Sequence, residues 1–468
     1  MTGYTRTKAQ IVTDQNFKGH ILRNSFRNEV IQNEAFDEMF GNYISFEDAK
    51  LINCSFKKAV LNSTRWKHIK FEQGTDFRFC SLKNTVFENV TFEGTVDFSG
   101  SELSGAIFRD CRFLKSNSHQ DESHEKDGIN FSNCILRDSV FENCTFQNSD
   151  LRGAEFHESS ILETDFGGSI TWHTDFYRSV IRKTSFDSSV VNESSFLYAK
   201  ISRTSFRNAT LKKLSLESSV IERSDFTGAD TRTERFLRHH DKLQNGENPY
   251  KWFPYDELFR TKKCQITNSV FDESHLELFN LTIMDGCSFR GTFLPWTNFT
   301  WQGYKFYGSS FTNSKIDNSI PPPHFEYFRN GNFDGSQITN CSWNNLDFAG
   351  CRTEGARFLL CDFENSCFSN SQFLNSIFEN CNFQNAQFAR GEKLLSHFEY
   401  QQDSEGREMA RGRDYGYTPK YEVKSPADWA TVLTGSKLLN CNFNQSNFDL
   451  IQLDNVVLID PTGLNSSH

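Results

Sequence analysis

Thirteen cysteines and twelve histidines are spread over the 468 residues of this chain, and three chemistries are open to them and their neighbours. Closely spaced thiols can hold zinc, pair as disulfides or act as nucleophiles. No Cys-x-x-Cys pair occurs, so structural zinc is not expected. The segment Lys115 to Asn130 gathers His119, Asp121, Glu122, His124, Glu125 and Asp127. Such a set can hold a metal ion weakly, but its spacing fixes no geometry, and it reads as a solvated turn. No metal or cofactor is expected. The third chemistry is recognition. Arg238, His239, His240, Trp252 and Phe253 fall in one segment, and Arg411, Arg413, Tyr415 and Tyr417 in another. Arg, Trp and Tyr are the types that dominate binding hot spots. These nine are the candidate binding residues. No Walker loop, dinucleotide turn, Gly-x-Ser-x-Gly or His-Glu-x-x-His is found, so no catalytic residue is assigned.

What must position these residues is a repeat. From Phe131 to Phe226 every fifth residue is large and apolar, with Thr171 the one departure. A small residue stands two before nearly all of these centre sites, as in Cys134, Ser139, Cys144 and Ser149. A period of five fits neither a helix nor a strand. Sites twenty apart also match in type: Phe146, Phe166, Phe186, Phe206 and Phe226 form one series, Ile161, Ile181, Ile201 and Ile221 another. Four quintets therefore make one turn of a square coil. Centre and small residues point in and the other three point out. Coils stack at the strand spacing of about 4.8 Å, Phe columns face one another, and aliphatic columns lie between them.

The same code divides the chain. Residues 1–16 read as a polar leader without the apolar stretch of a signal peptide. Residues 17–113 form a first coil block, in which Phe77 and Phe98 each open a frame slipped by one residue. Such slips predict bulges. A polar loop over 114–130 and a central block over 131–230 follow. Residues 231–263 predict a helical insertion with an aromatic turn, and 264–388 a third block broken by Pro321–Pro323. Residues 389–437 predict a helical, mobile insertion. Ser425 caps its last helix, Trp429, Val432 and Leu433 form the buried stripe, and Gly435 is the stop. Leu438 re-enters the coil and 438–468 close the chain. No apolar run is long enough to span a membrane.

Twelve cysteines occupy the small inward site and read as reduced fillers of a protein made in a reducing cytosol. Cys341, Cys361 and Cys381 should stack on one wall, with parallel Cβ vectors that disfavour a disulfide. Cys367 stands one before Phe368 and is expected to point outward as an exposed thiol.

A quintet of the form small–x–Leu/Phe–x–x resembles that of the pentapeptide-repeat superfamily. The resemblance implies an all-β solenoid, a right-handed quadrilateral β-helix, here with short α-helical insertions. A long, Phe-, Asn- and Cys-rich chain with a polar leader is similar overall to the EspX- and PipB-like type III secreted effectors of enteric bacteria. This implies a protein-binding scaffold, held in the bacterial cytoplasm before export and secreted into a host cell, that grips a host protein through its insertions and solenoid surface. One alternative is a DNA-mimic, topoisomerase-binding protein of the Qnr and MfpA type. Against it, acidic and basic outward residues nearly balance between Phe131 and Phe226, and Lys183, Arg203 and Arg223 form a basic column. A second alternative is an effector enzyme with its site in the insertions. Nucleic acid is not an expected partner.

Overall fold

The computed structural model describes residues 25–114, 129–231, 264–274, 332–341, 350–388, 431–446 and 451–463, with short pieces between 10 and 21, 283 and 290, 310 and 317, and at 343 and 348. The chain separates into two units, Met1–Phe226 and Thr227–His468.

The first unit is a parallel coil. One wall stacks the strands Ser45–Glu47, Arg65–Lys67, Val86–Glu88, Ile107–Arg109, Val140–Glu142, Ser160–Leu162, Val180–Arg182, Lys200–Ser202 and Val220–Glu222, in that order. Another wall stacks Glu29–Gln32, Lys50–Ser55 and Lys70–Asp76. Elsewhere the coils meet through single bridges, as in the run Asp165, Ser185, Ser205, Asp225. Matching residues lie side by side: Ile161 pairs with Ile181 and Ile181 with Ile201. The centre N–H donates to the next coil, Phe186 to the Ser205 carbonyl at 2.7 Å, and Ser185 N–H donates back to Thr164 at 3.0 Å. Backbone polar groups are thus satisfied from coil to coil, as burial requires.

The five-residue step has a backbone cause. Every described non-glycine residue with positive φ stands two after a centre site, from Asn28 (φ 56°) to Asp460 (φ 47°). One left-handed residue per quintet turns the chain through each corner. Asn tolerates that region better than most side chains, and Asn365, Asn370, Asn375, Asn380 and Asn385 fill it in succession. The core inside is aromatic. Phe166, Phe186 and Phe206 stack with centroids 5.3 and 5.1 Å apart, and the facing Phe176 meets Phe186 edge-on at 5.9 Å.

The frame slips are corner insertions. Pairing between Lys50–Ser55 and Lys70–Asp76 shifts between Ile52 and Cys54, where Gly74 (φ 88°) is the extra residue. Gly94 (φ 95°) lies directly against it, and a Cβ there would come within 2.9 Å of the Gly74 nitrogen. The polar loop inserts without disturbing the columns: Phe98 stacks on Phe131 and Phe108 on Phe141, at 5.2 and 4.9 Å. Gly41 occupies a centre site, and Met39 and Ile44 fill the missing volume.

The second unit repeats the plan. Its wall runs through Ser288–Arg290, Lys315–Asp317, Gln337–Thr339, Arg357–Leu359, Ile377–Glu379, Lys437–Leu439 and Val457–Ile459. The coil resumes at Thr431, seven residues before Leu438. Phe373 N–H donates to the Val432 carbonyl at 2.7 Å, Gln372 bridges Val432, and Leu433 is buried. The helix expected to bury Val432 and Leu433 is therefore replaced there by a quintet. Thr431-Val-Leu-Thr-Gly435 is itself small–x–Leu–x–x, and Gly435 (φ 68°) is its corner, not a helix stop. Helical spacing and the quintet both accommodate such a short stretch. Ladder bonds to Ser371 and Phe373 on the preceding coil decide between them. Residues 232–263, 389–430 and Pro321–Pro323 lie outside the described residues, as do 115–128.

Candidate functional site

The candidate binding residues Arg238, His239, His240, Trp252, Phe253, Arg411, Arg413, Tyr415 and Tyr417 all lie outside the described residues, and so does the acidic and histidine-rich loop at His119 to Asp127. The described walls of the coil and all thirteen thiols lie within the described residues.

All thirteen cysteines are free and buried. Inward thiols such as Cys54, Cys80 and Cys361 lie against backbone oxygens; Cys361 Sγ donates to Ile338 O at 3.5 Å. Burial pushes the Cys54 thiol up to about 11 and Cys80 to about 12. The column Cys341, Cys361, Cys381 has a fourth member, Cys441, which touches Cys381. The insertion had hidden it by adding forty residues to the twenty-residue spacing. Burial holds Cys381 well above the ordinary thiol range.

Cys367 departs from expectation. It is only 8% exposed, and its Sγ lies 3.3 Å from Ser369 Oγ, across Phe368. It stands at an outward position and bridges Gln387 of the adjacent coil, as the register requires. A short side chain at that position lies low on the wall and is shielded by longer neighbours. It is not a surface thiol.

The walls carry two groups of side chains suited to recognition. The first is built on the centres Phe156, Phe176 and Phe196. Their outward residues present His157, Tyr177, Arg178 and Tyr198 on three successive coils. Tyr177 and Tyr198 meet edge-on at 5.9 Å, His157 lies 5.7 Å from Tyr177, and the Arg178 guanidinium sits 5.0 Å from the Tyr177 ring centroid. His157 Nε2 is within hydrogen-bond distance of Asp175 at 2.8 Å, and the Arg178 guanidinium pairs with Glu158 at 3.5 Å. Tyr198 is 51% exposed, and Trp172, from the preceding quintet, 47%. The strip was missed because outward residues were weighed as charge alone. Reading them in columns of twenty, as for the centres, places Tyr177 and Tyr198 on adjacent coils.

The second group lies on the strand wall above Ile181, Ile201 and Ile221. It includes the basic column Lys183, Arg203, Arg223, which is partly neutralised: Lys183 Nζ binds Glu163 at 2.6 Å and Arg223 Nε binds Glu222 at 3.3 Å. Arg203 enters no ion pair among the described residues. Among those residues, no three His, Cys, Asp or Glu side chains converge as a metal site would need.

A family model described as "Pentapeptide repeats" matches residues 73–113, 127–161 and 356–390, in eight copies. Among solved structures, the chain is similar to QnrB1, a plasmid-mediated fluoroquinolone resistance protein, at 20% identity over 47% of this chain and 86% of that one, with a TM-score of 0.27. It is also similar to HetL from the cyanobacterium Nostoc, a pentapeptide repeat protein involved in heterocyst differentiation regulation. There the identity is 13% over 62% and 88% of the two chains, with a TM-score of 0.19. PfbA, a surface adhesin of Streptococcus pneumoniae, is matched at 10% identity over 74% and 84%, with a TM-score of 0.24. No curated protein matches. Residues 73–113, 127–161 and 356–390 thus match the pentapeptide-repeat model, and the same five-residue code, with one left-handed residue per quintet, runs through the described coils outside them.

Proposed function

We propose that the chain is a protein-binding scaffold, a secreted bacterial effector that holds a host protein against its coil surface and insertions. The observation that carries the binding reading is the strip His157, Tyr177, Arg178, Tyr198. Large, stiff aromatic side chains held at fixed spacing by a rigid wall lose little entropy when a partner covers them. An Arg stacked on a Tyr gives the strip both apolar area and charge. The insertion residues Arg238, His239, His240, Trp252, Phe253, Arg411, Arg413, Tyr415 and Tyr417 are proposed to extend this contact. Thirteen buried free thiols suit a protein made in a reducing cytosol. Export from a bacterium rests on the resemblance to EspX- and PipB-like effectors. A duplex-mimic role is disfavoured by the cations left unpaired on the wall above Ile181 and Ile201.

The test is affinity capture from host-cell lysate with the full chain, compared with Tyr177→Ala/Arg178→Ala/Tyr198→Ala and with deletion of 232–263 or 389–430. A partner retained by the full chain and lost from the triple variant supports the reading. Equal capture by all four forms overturns it. A fusion to a translocation reporter, expressed in bacteria infecting cultured cells, tests export separately.

A further inference from the structure

The basic wall above Ile181 and Ile201 does something the aromatic strip does not. Between Ser160 and Arg223 its outward positions hold Arg182, Lys183, Lys200, Arg203 and Arg223, against only Glu163 and Glu222. Each carboxylate is already engaged, Glu163 by Lys183 and Glu222 by Arg223. Arg182, Lys200 and Arg203 are exposed and form no ion pair among the described residues. All three fall on two adjacent coils, in a chain of net charge −10. Lys200 lies between Val180 and Val220, its pairing partners on either side. Those valines are 37% and 42% exposed. The wall is therefore a flat sheet face of alternating cation and branched apolar side chains, with more positive charge than it can neutralise.

We propose that this wall docks an acidic amphipathic helix of a partner protein. The proposal rests on the scaffold reading above and names the chemistry of one partner segment. Charge complementarity selects the carboxylates. Val180 and Val220 select a segment that also offers apolar side chains, which a nucleic acid backbone does not. The repeat selects a helix. Successive coils present their cations at about 4.8 Å. Acidic residues at i, i+3 and i+4 of a helix are spaced about 5–6 Å apart and keep step with three coils. Same-face residues of a strand, at about 6.7 Å, fall out of step within two.

The test is fluorescence anisotropy with the full chain and a labelled synthetic helix carrying Glu at i, i+3, i+4 and i+7 with Leu between. A Glu→Gln version of the peptide and a DNA duplex of equal charge are the comparisons. Saturable binding is expected, weakening at least tenfold as salt is raised, and falling at least tenfold in Arg182→Glu/Lys200→Glu/Arg203→Glu. Glutamate already occupies the corner position of Arg203 at Glu163 (φ 49°) and the strand position of Arg182 at Glu222, and all three side chains are exposed, so these changes should leave the circular dichroism melt unmoved. Binding should persist in Tyr177→Ala/Tyr198→Ala, which separates this wall from the aromatic strip. Absence of binding, equal binding of the Gln peptide, tighter binding of the duplex, or indifference to the charge reversal would each overturn the proposal.

Discussion

Two stretches of one wall share a backbone and differ in what they show to solvent. Below Phe141 the wall neutralises itself. Arg27 pairs with Glu47, Arg65 and Lys67 with Glu88, and Arg109 with Glu142, at 2.7 to 3.3 Å. Above Ile161 the strands keep the same parallel register, yet Arg182, Lys200 and Arg203 have no such partners among the described residues. The inward code leaves the outward residues unconstrained, so stability cannot explain the difference. A surface that is neutralised on one stretch only is what the proposed docking face would account for.

If the two stretches share one core, the largest effect should be the same in both. Phe87 stacks on Phe108 at 4.8 Å and Phe186 on Phe206 at 5.1 Å, and both are fully buried. Phe87→Ala and Phe186→Ala should each cost about 3–5 kcal/mol through lost packing and the cavity left behind. The damage should spread from the local coils outward, since solenoid stability is nearly additive along the axis. Urea denaturation of the two variants checks this. A cost near zero for either would mean that its ring is not in the core.

Acid should separate the stretches. Hydrogen bonds from Arg65 and Lys67 hold the Glu88 carboxyl below its ordinary value of 4.5, and those from Lys50 and Lys70 do the same for Glu72. A carboxyl held low in the folded state stabilises it above the unfolded value, and that contribution fades as pH falls through the folded one. Between about pH 5 and pH 3 the self-neutralised coils should therefore lose protection. Amide hydrogen exchange resolved by segment should show residues 45–109 opening before 160–223. The reverse order would count against these pairs as stabilising.

Much of this was legible before any coordinates, and the reasons are specific. Centre sites are read easily because a buried ring column admits only large apolar residues, so Phe131 to Phe226 declares its own register. The code weakens where volume moves between positions, as when Met39 and Ile44 fill in for Gly41. It becomes ambiguous in a stretch as short as Thr431 to Gly435, where only bonds to the neighbouring coil choose between helix and quintet. Cys367 was read outward by register, correctly, and exposed, wrongly, because register gives direction but not how far neighbours reach. The column Lys183, Arg203, Arg223 was visible in the spacing. That Glu163 takes up Lys183, and that Arg182 and Lys200 find no ion pair among the described residues, depends on side-chain reach between coils.

A smaller effect is expected from single ion pairs. Arg65→Ala removes an exposed contact to Glu88, and exposed pairs contribute about 0.2–1 kcal/mol. Arg203→Ala removes no ion pair and some like-charge repulsion from Lys183 and Arg223, so its effect on stability should be within about 0.5 kcal/mol of zero. Thermal melts of the two variants side by side measure the contrast. A clear loss with Arg203→Ala would show that the wall above Ile181 is tied down by contacts of its own.

The smallest effect should come from the thiols, and it tests whether the coil is closed up to the edge of the cationic stretch. Cys54, Cys80 and Cys111 lie inside the self-neutralised coils, Cys144 in the coil between them and the cationic stretch, and none is accessible. Reaction with a disulfide reagent needs the thiolate and an open path. Burial denies the path and, for Cys54 and Cys80, lifts the thiol to about 11 and 12. Under native conditions no thiol should react quickly, and all thirteen should react once the chain is unfolded in denaturant. Mass spectrometry of partly labelled protein then locates any leak. Cys367, the least buried, should be first, and its rate should follow local opening of its wall. Rapid labelling of Cys144 alone would show that the coil opens at the edge of the cationic stretch, where the self-neutralised pairs end, and that its ordered stacking there is looser than in the coils of Cys54, Cys80 and Cys111.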